Sequence, residues 1–256
     1  MIIRRQERSG AAGAPVEAAD CGVELEFTCG DDCGRARLAE CGGPRFEDAV
    51  PVRPFRWSRA QEHFPGWWWL ATTGRHVGYE SWLERDHLML LDFDPAVTAV
   101  ASQPFWLHWH DGRRSRRHAP DFFARLADGT GVVIDVRADD RIEPCDAEAF
   151  DATARACEAA GWEFRRVGTI GPVLAANVRW LSRYRRPRCT GPPGMADALR
   201  RAFAVPAPLL AGSAEAGDNL AVLPVLFYLM WQRELAADLE AGPLGSSSLV
   251  WLAGAR

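Results

Sequence analysis

The chain contains no lysine, so all 30 of its basic residues are arginines. Any role that an ammonium group usually fills must fall to a guanidinium or stay empty. The exchange is not conservative: arginine is a planar, permanently charged fork that cannot serve as a general base. Long apolar runs are also lacking. The longest, Leu220 to Trp231, falls short of the ~20 residues that cross a bilayer and is interrupted by Pro224, so it reads as a buried helix of a soluble chain with no membrane partner. No signal peptide precedes the rest. With an odd count of seven cysteines, this points to reduced thiols and a cytoplasmic location. There is no phosphate-cradling Gly-rich loop, no Gly-x-Ser-x-Gly elbow and no internal repeat, which leaves P-loop nucleotide hydrolysis and serine hydrolysis unsupported. Paired short zinc knuckles are missing around Cys21, Cys29, Cys33 and Cys41, which read as free thiols of a small hairpin. His63, His76, His87, His108, His110 and His118 show no tight metal spacing.

What is present is a large apolar and aromatic content, with 11 Trp and 12 Phe in 256 residues, enough for one large domain or two small ones with a sizeable core. The net charge of −4 argues against a broad, unspecific nucleic-acid coat but allows local basic patches. Residues 1–60 read as an N-terminal extension. It has a loose Gly/Ala-rich start, a hairpin of Val23 to Thr28 and Arg35 to Ala39 turning at Gly30-Asp31-Asp32, and a Pro/Arg-rich linker from Pro51 to Arg59. Residues 61–189 hold the main domain. Its expected elements are a buried strand Trp67 to Leu70, a helix opened by Ser81, a long strand Val97 to Trp109 bent at Pro104, and a basic loop Arg113 to His118. A hairpin, Asp121 to Leu126 and Val132 to Arg137, comes next. A helix Asp146 to Ala160 closed by Gly161, a strand Trp162 to Val167 and a helix Pro172 to Tyr184 complete it. This order suits a mixed α/β sheet flanked by helices. After a Pro/Gly-rich linker, Cys189 to Gly194, residues 194–256 read as a small, mainly helical domain with helices around Met195 to Phe203 and Pro224 to Leu239 and a strand Leu249 to Leu252.

Three carboxylates carry the chemistry: Glu84 on a helix, Asp121 after Pro120, and Asp135 on an adjacent strand. Such a set suits a hard divalent cation. Glu84 has a structural alternative, because Ser81-x-x-Glu84 is a capping-box spacing. Asp135 is harder to dismiss, since it interrupts the apolar run Val132 to Val136, where an unpaired carboxylate is costly. Loop length decides whether the aspartates meet. A two-residue loop places Asp121 opposite Val136, with the aspartates on opposite faces; a three-residue loop, Ala127-Asp128-Gly129, places Asp121 opposite Asp135. Gly129 at the left-handed third position predicts the longer loop. Arg137 shares the face of Asp135, two residues on. Acid, Pro-Asp, then Asp-x-basic is the outline of a metal-dependent phosphodiesterase site. Arg113, Arg114, Arg116 and Arg117, with His118, precede it and read either as a solvated charge run or as DNA phosphate contacts. Arg179, Arg183, Arg185, Arg186 and Arg188 form a second basic surface.

At these residues the chain resembles TnsA-type endonucleases, the cutting subunits of heteromeric transposases, from about Trp67 to Arg188. Ser81-Trp82-Leu83-Glu84 is similar to the family's Ser-x-x-Glu helix. Asp94-Pro95-Ala96-Val97 through Ser102-Gln103-Pro104-Phe105 is similar to its strand ending in Gln-x-Pro. Pro120-Asp121-Phe122-Phe123 resembles its Asp-Phe strand, Val133 to Arg137 its strand of acid or Gln, any residue, then Lys, and Asn177-Val178-Arg179-Trp180-Leu181 a helix after the core. The resemblance implies a restriction-endonuclease-like PD-(D/E)xK fold and Mg²⁺-dependent cleavage, with Mn²⁺ as alternative cation, at the 5′ ends of a transposon. It implies a DDE-type transposase subunit and an AAA+ ATPase regulator as partners, and a winged-helix-like C-terminal domain. Glu84, Asp121, Asp135 and the Val136 carbonyl would hold the metal. Arg137 stands where the family has lysine, so a catalytically weak adaptor is one rival reading. A host restriction or repair nuclease is another.

Overall fold

The computed structural model describes residues 22–30, 32–41, 44–55 and 64–254. The loose start, Cys21, the turn residue Asp31, the Arg56 to Arg59 part of the expected linker and His63 lie outside the described residues. The chain divides into two compact units, Met1–Thr169 and Ile170–Arg256. The boundary thus falls ahead of the Cys189 to Gly194 stretch on which the sequence reading placed it.

The first unit runs β1 (Glu24–Cys29), β2 (Asp32–Arg37), β3 (Gly66–Trp69), β4 (His76–Tyr79), α1 (Trp82–Phe93), β5 (Val97–Ser102), β6 (Phe105–His110), β7 (Ser115–His118), β8 (Phe122–Leu126), β9 (Gly131–Val136), α2 (Pro144–Ala160) and β10 (Glu163–Val167). Its central sheet has the order β10-β9-β8-β5 and is mixed: β10 runs parallel to β9, the other pairs antiparallel. Strand alternation sorts its side chains. Phe122, Ala124, Val132 and Ile134 join Leu88 and Leu91 of α1, whereas Phe123 and Val133 join Ala152, Ala156 and Cys157 of α2. The sheet therefore has a helix on each face, as the restriction-endonuclease-like reading requires. Helix α2 begins in a capping box between Glu143 and Asp146 and stops at Gly161, whose φ of 70° supplies the left-handed C-cap.

The N-terminal hairpin is part of this unit rather than an appendage. Strand β1 pairs with β6 in a second sheet, β2-β1-β6-β7. Phe46, fully buried, packs its ring 5.1 to 5.8 Å from Phe27, Phe105, Phe123 and Trp162. Glu47 beside it is buried and is held by Arg125, whose Nε and Nη2 donate to Glu47 Oε2 at 3.2 and 2.9 Å while Nη1 donates to the Gly129 carbonyl. Among the described residues, Arg125→Ala leaves that buried carboxylate with Arg45 as its cation, at 3.7 Å. The expected cost is about 2 kcal/mol, read as a lower denaturant midpoint at unchanged slope.

The hairpin turn is the three-residue one. Leu126 and Thr130 close the loop (N–H to O, 2.9 Å), Gly129 has φ 88°, and Phe122 faces Ile134, so the register carries on to Asp121 opposite Asp135. Other expectations fail for local reasons. The single strand Val97 to Trp109 breaks at Gln103-Pro104 into β5 and β6, which lie in different sheets; proline has no N–H for a ladder, and Gln103 turns through φ 46°. Four of the six residues of the expected Arg113 to His118 loop form strand β7, paired with β6, and the Arg117 guanidinium covers the Trp106 ring at 4.4 Å. The Trp67 strand is not buried: β3 pairs with β4 alone, and Trp67 is 59% exposed.

The second unit holds α3 (Pro172–Leu181), α4 (Met195–Ala202), β11 (Ala207–Pro208), α5 (Leu209–Ala216), α6 (Asn219–Trp231), β12 (Leu235–Ala237) and β13 (Leu249–Leu252), the strands forming an antiparallel sheet β11-β13-β12. Buried Asn177 ties α3 into it, donating to the carbonyls of Leu239 and Gly242 at 2.9 and 2.8 Å and accepting from Leu244 N–H at 2.8 Å. The helix expected from Pro224 to Leu239 instead ends at Trp231, after which Arg233 turns through φ 61° into β12. No helix among the described residues is long and apolar enough to cross a membrane.

Candidate active-site cleft

A cleft of about 1060 Å³ opens in the first unit, and it gathers residues from five elements. Ser81 to Glu84 come from the start of α1, His118 from the end of β7, Asp121 from the lead into β8, Asp135 and Val136 from β9, and Asp146 and Phe150 from α2. Arg53, Glu80, Trp106, Arg117, Arg137 and Arg141 also line it.

Asp135 is the most constrained of these. It is 2% exposed. One oxygen, Oδ1, lies 2.9 Å from His118 Nε2; the other, Oδ2, is enclosed without a hydrogen-bond partner. An orphan buried acceptor costs about 1–3 kcal/mol and marks a place where a donor or cation is missing. Asp121 accepts from the Val136 N–H at 2.7 Å. Burial, the negative charge of Glu84 and that of Asp135 together hold its carboxyl well above the usual carboxylate range, against the opposing pull of that N–H and of Arg53. Burial likewise raises Glu84.

Glu84 sits at the cleft in its alternative role. Ser81 Oγ accepts from Glu84 N–H at 3.2 Å and donates to Glu84 Oε1 at 2.8 Å, while Oε2 takes the Glu80 N–H at 2.7 Å. Both its oxygens are thus committed to the helix start. Among the described residues no group of three His, Cys, Asp or Glu side chains is arranged to hold a metal ion as it stands. Asp121 and Asp135 come together as a pair near Glu84, whose carboxylate is turned into the cap. The chemistry of the set still fits a divalent cation: two like charges repel across the hairpin, and one buried oxygen waits for a partner.

Arg137 is where the register puts it, but its Nη2 donates to Asp146 Oδ1 at 2.6 Å. That bond raises the guanidinium further; burial opposes ionisation of Asp146, yet Arg137 and the Glu143 N–H outweigh it and hold the carboxyl low. Of the arginine run, Arg117 lines the cleft. Arg116 is taken by Asp111 and Glu148 at 2.8 and 3.0 Å, Arg114 stands 3.8 Å from Asp111, and Arg113 lines a separate hollow beside Trp109 and Arg155. His118, read from the sequence as a possible phosphate contact, lines the cleft with its Nε2 2.9 Å from Asp135 Oδ1.

Two residues of this site escape sequence reasoning. Arg53 lies in a stretch that reads as linker, and only its place in the cleft with Glu84 and Asp121 reveals it. Asp146 carries the capping-box signature of α2, and its pairing to Arg137 depends on how that helix returns beneath β9.

No curated protein matches the chain. The family described as TnsA-like endonuclease N terminal matches residues 94–168. That segment includes Asp121, Asp135 and Arg137, and it excludes Glu84 and Arg53. The mixed sheet with a helix on each face agrees with that match, and residues 94–168 are similar to the N-terminal domain of the TnsA-like endonucleases.

Proposed function

We propose that the chain is a metal-dependent DNA endonuclease that cuts the 5′ ends of a transposon in concert with a DDE-type transposase subunit, with an AAA+ ATPase regulator as further partner and the cytoplasm as its location. The observation that carries this reading is Asp135 Oδ2, a buried, partnerless carboxylate oxygen at a cleft inside the matched segment. Asp121 and Asp135 would hold Mg²⁺ or Mn²⁺, with the Val136 carbonyl and, once released from its cap, Glu84. When bound, such a cation lowers the pKa of a water and offsets charge on the phosphate. His118 holds Asp135 in place. Val136 N–H orients Asp121. Arg117, spread on Trp106, offers its guanidinium to the DNA backbone along one wall of the cleft. In the second unit the order helix, strand, two helices, two strands supports a winged-helix-like reading of the part from Gly194 onward.

A second reading has its own support. The capped Glu84 and the Arg137–Asp146 pair leave a cleft whose catalytic groups are occupied, as a nuclease-fold adaptor would. Cleavage of supercoiled and end-containing linear DNA with Mg²⁺ or Mn²⁺, with and without the transposase subunit, decides between them. We expect nicking or cutting by the wild type and none by Asp121→Ala. Retained partner binding with no cleavage under any condition establishes the adaptor.

A further inference from the structure

We propose that Arg53, rather than Arg137, is the cation that grips the DNA phosphate at this cleft. The inference rests on the nuclease reading of the site. Arg137 also lines the cleft, but it is exposed and its guanidinium is bonded to Asp146. Arg53 lines the cleft with Glu84 and Asp121, and its Nη2 donates to Glu80 Oε2 at 2.6 Å. Its Nε is enclosed and has no acceptor. A buried guanidinium N–H without an oxygen is as anomalous as the orphan oxygen of Asp135. The two orphans in one cleft are complementary: a cation satisfies the aspartate, and the phosphate oxygens it draws in satisfy the fork.

The segment bearing Arg53 is anchored, which a phosphate grip requires. Val52 N–H donates to the Gln103 carbonyl at 3.0 Å, and Gln103 N–H donates to the Asp121 carbonyl at 2.9 Å. The backbone beside Arg53 and that of Asp121 are therefore keyed to one residue, itself 2% exposed and in the left-handed region. On the other side the Phe55 ring lies over Gly78, where an added Cβ would stand 2.2 Å from Phe55 Cζ, and packs edge-on to Trp67 at 5.2 Å.

The test compares full-length wild type, Arg53→Gln, Arg53→Gln with Glu80→Gln, and Arg137→Gln in binding a short labelled duplex in Ca²⁺ across a salt series. The double variant removes the ion pair whole and covers the case in which an unpaired Glu80 harms folding. Losing one phosphate contact lowers the slope of log affinity against log salt by about 0.9, and we expect about tenfold weaker binding at low salt for both Arg53 variants. Arg137→Gln keeps affinity and slope. Wild-type affinity and slope in the double variant, or the loss appearing in Arg137→Gln instead, overturns the assignment. These binding readouts do not need cleavage, so a wild type that binds but never cuts defeats the endonuclease reading and still decides the role of Arg53.

Discussion

We expect Asp121→Asn to abolish cleavage and at the same time to raise the melting temperature of the metal-free protein. The first effect follows from ligand chemistry. A metal contributes several kcal/mol to the transition state, and at 1.36 kcal/mol per decade that is about a thousandfold or more in single-turnover rate. The second follows from the carboxyl's surroundings. Burial and the charges of Glu84 and Asp135 disfavour ionised Asp121 in the folded chain, and asparagine removes the charge while its side-chain oxygen still accepts the Val136 N–H. The two effects have opposite signs, which separates a functional carboxylate from a structural one. Single-turnover cleavage and thermal unfolding in chelator measure them. A variant that loses activity but melts lower would mean that Asp121 serves mainly to hold β8 against β9.

We expect Mn²⁺ to stabilise the protein more at pH 8 than at pH 5. Asp121 and Glu84 both have folded-state pKa values above their unfolded ones, through burial first and then, for Asp121, the neighbouring charges. Below the unfolded values, about 4, both states carry the protons and nothing is lost. As pH rises through the folded values the folded chain must give up protons it holds more tightly than the unfolded chain, so metal-free stability declines. Asp146 has the opposite sign, and its contribution is complete above the ordinary aspartate range. The cation replaces the protons as counter-charge, with proton release on binding. At a hundredfold excess over its dissociation constant it adds about 2.7 kcal/mol, and the gain shrinks as acid competes. Thermal unfolding with and without Mn²⁺ at the two pH values reads this directly. Equal shifts at pH 5 and pH 8 would place the ion elsewhere.

The parts of this site legible in the sequence are those governed by local rules. Gly129 in a three-residue turn sets the register, and the register sets Asp121 against Asp135. An aspartate amid Val132, Val133, Ile134 and Val136 declares its own cost. Gly161 marks the end of α2, and Ser81-x-x-Glu84 announces the cap that forms. The rest depends on contacts between distant segments. Nothing near Arg137 says that its guanidinium meets Asp146 rather than Asp135. Strand β7 pairs with β6 and its Arg117 covers the Trp106 face, in a run whose charge reads as loop. Helix α5, with its small residues Ala211, Gly212, Ser213 and Ala214, has little apolar periodicity to show, and Gly212 is there because the Phe203 ring occupies the space of a side chain. The grip of Phe55 on Gly78 turns an apparent linker into part of the site.

The turn Ala127-Asp128-Gly129 has a consequence for how this protein can vary. Exposed hairpin tips usually tolerate gained or lost residues, because little packs on them. Here the tip works as a spacer for a pair of carboxylates at the far end of β8 and β9. Removing one residue without altering the turn's closure shifts one strand by a single step and sends Asp121 and Asp135 to opposite faces of the sheet. The segment least involved in the chemistry is therefore held to a fixed length by it, and natural length variation should gather in the other surface loops.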